Sequence, residues 1–324
     1  MHSFDELLKI FENRLNKENF SHEPKELYAP IDYTLALGGK RIRPVLTLMA
    51  CDMFGGDIND ALPQAIAIEL FHNFTLIHDD IMDNAPIRRG KQTVYKKWSS
   101  NIAILSGDTL FALAYQYAQI ADKSILANVL SVFNRTAIEV CEGQQYDLNF
   151  ETRNDVSVEE YIHMIKLKTA VLFGASLKIG AIIGGANNED ADKLYNFALN
   201  IGLGFQLKDD LLDTYGDESI FGKKTGGDII SNKKTFLYLK ALELADKENN
   251  RKLTSLFNND SYSEDEKINS VKSIFSNLKI DEITEKEIDT YFEAGIIDLN
   301  SLDLKEDVKA ELYDLAFKMI HRDV

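Results

Sequence analysis

The amino-acid sequence predicts an all-α protein that forms one large helical domain. Apolar residues recur at helical spacing over long stretches, and only five prolines interrupt the 324 residues. No run of alternating β-branched residues is flanked by a hairpin turn. Because no linker, repeat or low-complexity block divides the chain, we expect a single domain over residues 1–324.

The predicted helices follow from the spacing of their apolar residues. Residues 4–19 place Phe4, Leu7 and Phe11 on one side of a helix, and residues 61–83 form a long, mostly apolar run that ends in aspartates. We expect helices over residues 4–19, 43–54, 61–83, 101–121, 124–144, 157–185, 189–215 and 233–247. Residues 248–268 are polar, so we expect a surface connection between helices there.

Composition and charge exclude several classes of function. The net charge of −16 disfavours general nucleic-acid binding, which needs a basic surface. The most apolar stretch, residues 170–186, contains Lys178 and falls short of the roughly 20 apolar residues of a membrane span. The chain begins with a polar, amphipathic segment, so we expect no stable membrane insertion and a cytoplasmic location. Cys51 and Cys141 lack metal-type spacing and are expected to be reduced core residues.

Two acidic motifs are the main candidates for a functional site in the sequence. LIHDDIMD contains Asp79, Asp80 and Asp83, and FQLKDDLLD contains the same D-D-x-x-D pattern at 209–213. On a helix, the first and fifth positions of the motif differ by only about 40°, so these two carboxylates share a face. Such pairs would repel one another strongly if dry, and hard divalent cations such as Mg²⁺ relieve that repulsion.

A simpler interpretation is a solvated helix end, which one DDxxD motif alone would allow. Both motifs, however, lie inside otherwise apolar helices, where exposed acids are not expected. Basic residues also cluster tightly, as KRIR at 40–43, RRGK at 88–91, GKK at 222–224 and SNKK at 231–234. An acidic protein with local cationic clusters suits a small anionic ligand, whose phosphate oxygens such side chains would hold.

These motifs resemble, in order, the sequence blocks of the trans-isoprenyl diphosphate synthases, the polyprenyl synthetase family. The resemblance covers nearly the whole chain. The matching blocks are LGGKRIRP (37–44), LIHDDIMDNAPIRRGK (76–91), AILSGDTL (103–110), EGQQYDL (142–148), KLKTAVLF (166–173), GFQLKDDLLDTYGD (204–217) and GKKTGGDI (222–229).

The resemblance implies a fold of antiparallel helices around a deep central cavity, usually in a homodimer. The aspartate motifs would face each other and bind Mg²⁺, with three ions per active site. The implied reaction joins isopentenyl diphosphate to an allylic diphosphate, which is dimethylallyl, geranyl or farnesyl diphosphate.

The resemblance also assigns roles to individual residues. Those implied to bind isopentenyl diphosphate are Lys40, Arg43, His72 and Arg89. The implied metal ligands are Asp79, Asp83 and Asp209, supported by Asp80, Asp210 and Asp213. The residues implied along the allylic substrate and its diphosphate are Arg88, Lys168, Thr169, Gln206, Lys223 and Lys233.

Alternatives stay open for several of these residues. Gln206 would also suit an interior hydrogen-bonded amide, Lys168 a surface charge and His72 a core histidine. Lys234 is an alternative to Lys233 in the diphosphate clamp. Tyr95 departs from the family pattern, because many members carry histidine at that position.

In the family, product length depends on the residues just before the first motif, which here are Phe74 and Thr75. A bulky phenylalanine would block the growing tail, so we expect a C20 product first, then C15, then longer chains. Phe74 lies about 140° around the helix from Asp79, which leaves ordinary core packing as an alternative.

Three other functions fit parts of the sequence. A terpene cyclase shares the DDxxD motif but generally lacks the GGKRIRP block. A non-catalytic subunit of a heteromeric synthase usually loses one acidic motif, and both are complete here. An HD-type phosphohydrolase is suggested by His78-Asp79 but needs further metal-binding histidines, and the other five show no suitable cluster.

Overall fold

The computed structural model describes residues 1–216, 225–258 and 262–322. As predicted, the described chain is almost entirely helical. The first ten helices are α1 Phe4–Leu15, α2 Lys25–Ala36, α3 Ile42–Met53, α4 Ile58–Met82, α5 Val94–Lys97, α6 Ser100–Ala118, α7 Leu126–Thr152, α8 Val158–Ile165, α9 Val171–Ile183 and α10 Asn188–Tyr215. The remaining helices are α11 Gly227–Ile230, α12 Phe236–Leu244, α13 Lys247–Asn258, α14 Glu264–Asn277, α15 Ile280–Asn300 and α16 Glu306–Ile320.

The chain divides into two compact units. The first unit contains Met1–Arg135 and Ala175–Leu194, and the second contains Thr136–Gly174 and Tyr195–Val324. The prediction of a single domain therefore stays a prediction.

Helix α4 is the centre of the first unit. The Asp57 side chain accepts a hydrogen bond from the backbone N–H of Asn59 and caps the helix start. From there the helix buries apolar residues along most of its length and packs against α3 and α6. This packing holds the C-terminal end of α4, where Asp79 and Asp83 lie, on a rigid element.

In the second unit, a π-helix interrupts the helix predicted over residues 157–185. Its residues, Lys166–Ala170, lie between α8 and α9. α8 begins with a capping box in which Ser157 and Glu160 bond reciprocally, and it packs against α12. A π-turn adds one residue to a helical turn, which changes the direction of the side chains that follow, and such turns often occur at functional sites.

Four smaller expectations need correction. α2 was missed by the sequence analysis. The polar connection expected over residues 248–268 is wrong where α13 and α14 occupy it, because Leu253, Leu256 and Phe257 form a buried stripe on α13. Two short strands, β1 Ile87–Arg88 and β2 Lys91–Gln92, form a hairpin. Cys51 is buried as expected, but Cys141 is exposed, and neither forms a disulfide.

A search of the described helices finds none with the length and apolar character needed to span a bilayer. This agrees with the charge that Lys178 introduces into residues 170–186. The cytoplasmic location stays a prediction from the sequence.

We predict that Gly143→Ala destabilises the second unit. A Cβ atom at Gly143 would lie 2.7 Å from Lys168 Cα and from the Leu167 carbonyl carbon, and neither backbone atom can move easily. Alanine otherwise favours a helix over glycine by about 1 kcal/mol, so a loss of stability must come from this overlap. Overpacking of this kind costs about 1–3 kcal/mol, which urea denaturation measures directly. The exposed helical substitution Ser131→Ala is the control, and a Gly143→Ala protein as stable as wild type would contradict the close packing.

Candidate active site

The first acidic motif ends helix α4, and its carboxylates have unequal surroundings. The Asp79 side chain is 20% exposed and that of Asp80 is 6% exposed, while Asp83 is exposed at the helix C-cap. Arg88, on β1, donates from Nε to Asp80 Oδ1 at 2.7 Å, and its Nη2 lies 3.8 Å from Asp79 Oδ2. Burial raises the pKa of Asp80 to about 6, although the charge of Arg88 opposes that rise. The hairpin therefore supplies the countercharge for the motif.

Four of the predicted substrate-binding residues come together around the loop between α2 and α3. Arg43 Nη1 lies 3.5 Å from His72 Nε2, and Arg89 Nη1 donates to the Gly38 carbonyl oxygen. Lys40 is exposed on the same loop. A Cβ atom on Gly39 would lie 2.6 Å from Arg89 Nη2, and the φ of Gly39 is 140°, so the loop needs glycine there.

The arginine side chains near this loop surround the imidazole ring of His72. Burial lowers the pKa of His72 well below its usual 6.5, and the charges of Arg43, Arg89, Arg88 and Arg41 lower it further. An anion bound here would reduce the mutual repulsion of these guanidinium groups. The geometry therefore fits the predicted diphosphate site.

The two predicted chain-length residues lie one turn before the first motif. The ring of Phe74 stacks on Phe111 with centroids 4.9 Å apart and an interplanar angle of 16°. It also packs against the rings of Phe71 and His78. Thr75 Oγ1 donates to the His72 carbonyl at 2.8 Å, which directs its hydroxyl back to the helix.

The second acidic motif lies on α10, in the second unit. Asp210 is buried, accepts a hydrogen bond from the Tyr161 hydroxyl, and receives another from Gln206 Nε2 at 3.1 Å. Thr169 Oγ1 donates in turn to Gln206 Oε1 at 3.2 Å. The predicted residues Thr169, Gln206 and Asp210 thus form one hydrogen-bonded chain. Burial raises the pKa of Asp210 well above its usual value, and the charge of Asp228 adds to the rise.

The other two aspartates of this motif also have partners. Arg322, just beyond α16, pairs with Asp209 and lies over the Phe205 ring at 4.3 Å. Asp213 Oδ2 accepts the backbone N–H of Asp228 at 2.9 Å. The motif is therefore bound both to the C-terminal segment and to the short helix α11.

A cavity of about 110 Å³ opens beside this motif within the second unit. Its polar lining consists of Asp147, Tyr161, Lys168, Thr169, Gln206, Asp210, Asp228, Lys233, Lys234 and Thr235. Lys168 Nζ donates to Asp147 Oδ2 at 2.6 Å, so this lysine is not a solvated surface charge. Burial raises the pKa of Asp228 to about 6, with Asp213 raising it further and Lys233 opposing.

The two lysines of SNKK differ in their contacts. Lys234 Nζ donates to the carbonyl oxygens of Phe150 and Glu151 at the end of α7. Lys233 lines the cavity together with Asp228, and its charge opposes the rise in the pKa of that carboxyl. This difference favours Lys233 over Lys234 as the clamp residue. Lys223 lies outside the described residues.

Sequence reasoning missed four side chains of the site, namely Asp147, Tyr161, Asp228 and Arg322. Asp147 and Asp228 lie in the matched blocks EGQQYDL and GKKTGGDI, so their positions carried a signal. No local pattern marked Tyr161 or Arg322, whose partners are 49 and 113 residues away in sequence.

Within the part of the chain that the structure describes, no group of three or more His, Cys, Asp or Glu side chains is placed to hold a metal ion by itself. Magnesium sites commonly use one or two carboxylates together with water and substrate phosphates. A metal site in which the substrate's phosphate oxygens supply some of the ligands needs fewer carboxylates from the protein.

Comparisons with known proteins show the family of the chain. The family model for polyprenyl synthetase matches residues 24–275. The chain is 37% identical over 318 residues to the geranylgeranyl diphosphate synthase of Sulfolobus acidocaldarius, covering 95% of each chain. It is 43% identical over 222 residues to that of Methanosarcina mazei, covering 68% of each. A crystal structure of a geranylgeranyl pyrophosphate synthase superposes with a TM-score of 0.95 at 44% identity, covering 100% of both chains.

The family model and these relatives identify the chain as a prenyltransferase. The chain belongs to the polyprenyl synthetase family and is an isoprenyl diphosphate synthase.

We predict that His72 makes the protein less stable in acid. Its folded pKa is lowered, so below about pH 6.5 the unfolded chain binds a proton that the folded chain does not. Stability should therefore fall as the pH drops from 7 to 5, by up to about 2 kcal/mol from this group. Urea denaturation at several pH values should show a flatter profile for His72→Gln than for wild type. The exposed His163→Gln is the control, and identical profiles for wild type and His72→Gln would contradict the assignment.

Proposed function

We propose that the protein condenses isopentenyl diphosphate with an allylic diphosphate to form geranylgeranyl diphosphate. The observation that carries the proposal is the placement of His72, Asp79 and Asp83 on one helix, with Arg43, Arg88 and Arg89 around them. Family membership implies these two kinds of substrate.

The cation cluster at the loop is the proposed site for the diphosphate of isopentenyl diphosphate. Lys40, Arg43, His72 and Arg89 supply its donors. Guanidinium groups bind phosphate oxygens in pairs, whereas lysine acts as a compact point charge. The neutral imidazole of His72 adds one N–H donor without adding charge.

We propose that the aspartates bind Mg²⁺ together with the allylic diphosphate. The donor set fits this ion, because it consists of carboxylate oxygens, which are the ligands that Mg²⁺ prefers. Burial is the main cause of the raised pKa values of Asp80 and Asp228, and neighbouring aspartates raise both further. The proposed ligands are Asp79, Asp83 and Asp209, with Asp80, Asp210 and Asp213 in support, and three ions per site stays part of this proposal. When bound, Mg²⁺ would neutralise the charge that develops on the departing diphosphate.

The second unit supplies groups suited to an allylic cation. Breaking the carbon–oxygen bond leaves a cation that water would capture, so the reacting carbon needs a dry environment. The hydroxyl of Thr169 and the amide of Gln206 offer oxygen dipoles that favour positive charge. Lys168, Lys233 and Arg88 would hold the diphosphate, and Lys223 completes the proposed set.

The C20 product is proposed from two independent features. The relatives of Sulfolobus acidocaldarius and Methanosarcina mazei carry the name geranylgeranyl diphosphate synthase. In this chain, Phe74 is held by stacking on Phe111, which gives a bulky and fixed group one turn before Asp79. A fixed ring limits chain growth better than a mobile one.

We also propose a homodimer. Helix α6 leaves Ile104 and Leu105 exposed by 42% and 57% in the single chain. Two large adjacent apolar side chains on one helix suit a self-complementary contact between copies. Light scattering should give twice the chain mass, and a monomeric mass would contradict this proposal.

The reaction is tested with radiolabelled isopentenyl diphosphate, Mg²⁺ and each allylic primer in turn. We predict that Asp79→Ala and Asp209→Ala each lower turnover at least about 100-fold, on the scale of losing one preorganised charge-stabilising group. The exposed Asp303→Ala should retain wild-type turnover. Near wild-type rates in both motif variants would refute their assignment.

We predict that Phe74→Ala lengthens the product beyond C20. Removing the ring opens space on α4 next to Phe111, and the growing tail can then extend. Thin-layer chromatography of the dephosphorylated products measures the chain length. The exposed Phe317→Ala is the control, and an unchanged product spectrum in Phe74→Ala would assign Phe74 to core packing.

A further inference from the structure

The KRIR segment contains one cation that the proposed substrate site does not use. Lys40 is exposed and Arg43 is half-buried, but the side chain of Arg41 between them is only 5% exposed. Its Nη1 pairs with Glu69 Oε1, and its Nη2 donates to the Leu35 carbonyl at 2.6 Å. Both ends of the guanidinium group are therefore bound inside the protein.

The partner of Arg41 lies on the helix that carries the site. The Glu69 side chain is 2% exposed, and Asn73 Nδ2 donates to Glu69 Oε1 and to the Glu69 carbonyl, each at 2.7 Å. Glu69 precedes His72 by three residues and Asp79 by ten on α4. The ion pair thus connects the loop of Lys40 to the helix of His72.

The backbone of the loop needs such a connection. Gly38 and Gly39 have φ values of 74° and 140°, and Arg41 itself has a φ of 47°. A non-glycine residue in the left-handed region is strained and persists only where its surroundings hold it. From that position, the Arg41 carbonyl accepts the N–H of Val45 at 3.2 Å and so begins α3.

We propose that Arg41 is a positioning residue for the isopentenyl diphosphate site. Its buried pair with Glu69 fixes the loop so that Lys40 and Arg43 converge with His72 on one diphosphate, while Arg41 itself contacts no substrate. This inference rests on the proposed function, which assigns Lys40 and Arg43 to that diphosphate.

The guanidinium group suits this task better than an ammonium group. A lysine at position 41 would keep the charge, but a single nitrogen cannot reproduce the planar fork that reaches Glu69 and Leu35 together. Arg41→Lys therefore keeps the positive charge and removes only the two-sided hydrogen bonding of the guanidinium group. A purely stabilising pair would predict lower stability and unchanged substrate affinity.

The test is direct binding of isopentenyl diphosphate, which undergoes no condensation without an allylic partner. Calorimetry on the full-length Arg41→Lys protein should show at least about tenfold weaker binding. In steady-state assays, the KM for isopentenyl diphosphate should rise by a similar factor, and the KM for the allylic diphosphate should change less than about twofold. Arg14→Lys, which alters the Arg14–Glu18 pair on α1, is the matched control and should bind as wild type.

A second variant covers the case in which Arg41→Lys fails to fold. Replacing both partners of a buried ion pair with apolar residues is often neutral for stability. The double variant Arg41→Met/Glu69→Leu should therefore fold, as thermal melting would show, and still bind isopentenyl diphosphate weakly. Wild-type binding by a folded Arg41→Lys or double variant would overturn the inference. Equal rises in both KM values would also overturn it, because the effect would then not be specific to one site.

One further variant separates this inference from the proposed function. Lys40→Ala should weaken isopentenyl diphosphate binding, because Lys40 is assigned a direct contact. If wild type does not bind isopentenyl diphosphate, or if Lys40→Ala binds it as wild type does, the proposed site fails and this inference fails with it. Wild-type affinity in Arg41→Lys beside weak affinity in Lys40→Ala overturns the inference alone.

Discussion

Burial of carboxylates in apolar helices is the constraint that the rest of the site satisfies. A carboxylate removed from water is costly unless charged or hydrogen-bonding partners compensate it. Asp80 receives Arg88 from the hairpin, and Asp210 receives Tyr161 from α8 and Gln206 from its own helix. Arg88 and Tyr161 thereby connect the hairpin and α8 to the acidic motif of their own unit. The contacts that stabilise the buried carboxylates therefore also build the site.

The helices were predictable where apolar residues recur at helical spacing over many turns. α4 and α10 match their predicted spans within a few residues, because their apolar residues repeat over many turns. α13 was missed because only Leu253, Leu256 and Phe257 are buried in an otherwise polar segment. α2 was also missed; it contains Pro30 within the helix, and its buried residues are Pro30, Ile31, Thr34 and Leu35. No sequence pattern indicated the π-helix, because the spacing of apolar residues does not reveal one residue added to a helical turn.

The site was predictable to the extent that its residues are marked by local sequence. The acidic motifs and the GGKRIR loop are short patterns, and the structure gathers Arg43, His72 and Arg89 at that loop. The supporting partners could not be predicted, because Tyr161 and Arg322 reach their aspartates across long sequence separations. Local patterns mark the residues that contact a ligand, whereas the residues that orient them depend on the tertiary fold.

Helical geometry explains why the three aspartates of each motif differ. The first and last lie within about 40° of each other around the helix, while the second is turned about 100° away from the first. In both motifs the second aspartate is the buried one, as Asp80 and Asp210 are, and the first is more exposed, at 20% for Asp79 and 37% for Asp209. A ligand that approaches one helix face can therefore contact the first and last carboxylates directly. The second carboxylate instead bonds to protein partners that orient the end of the helix. The D-D-x-x-D pattern therefore provides two carboxylates for a ligand and one that holds the helix in place.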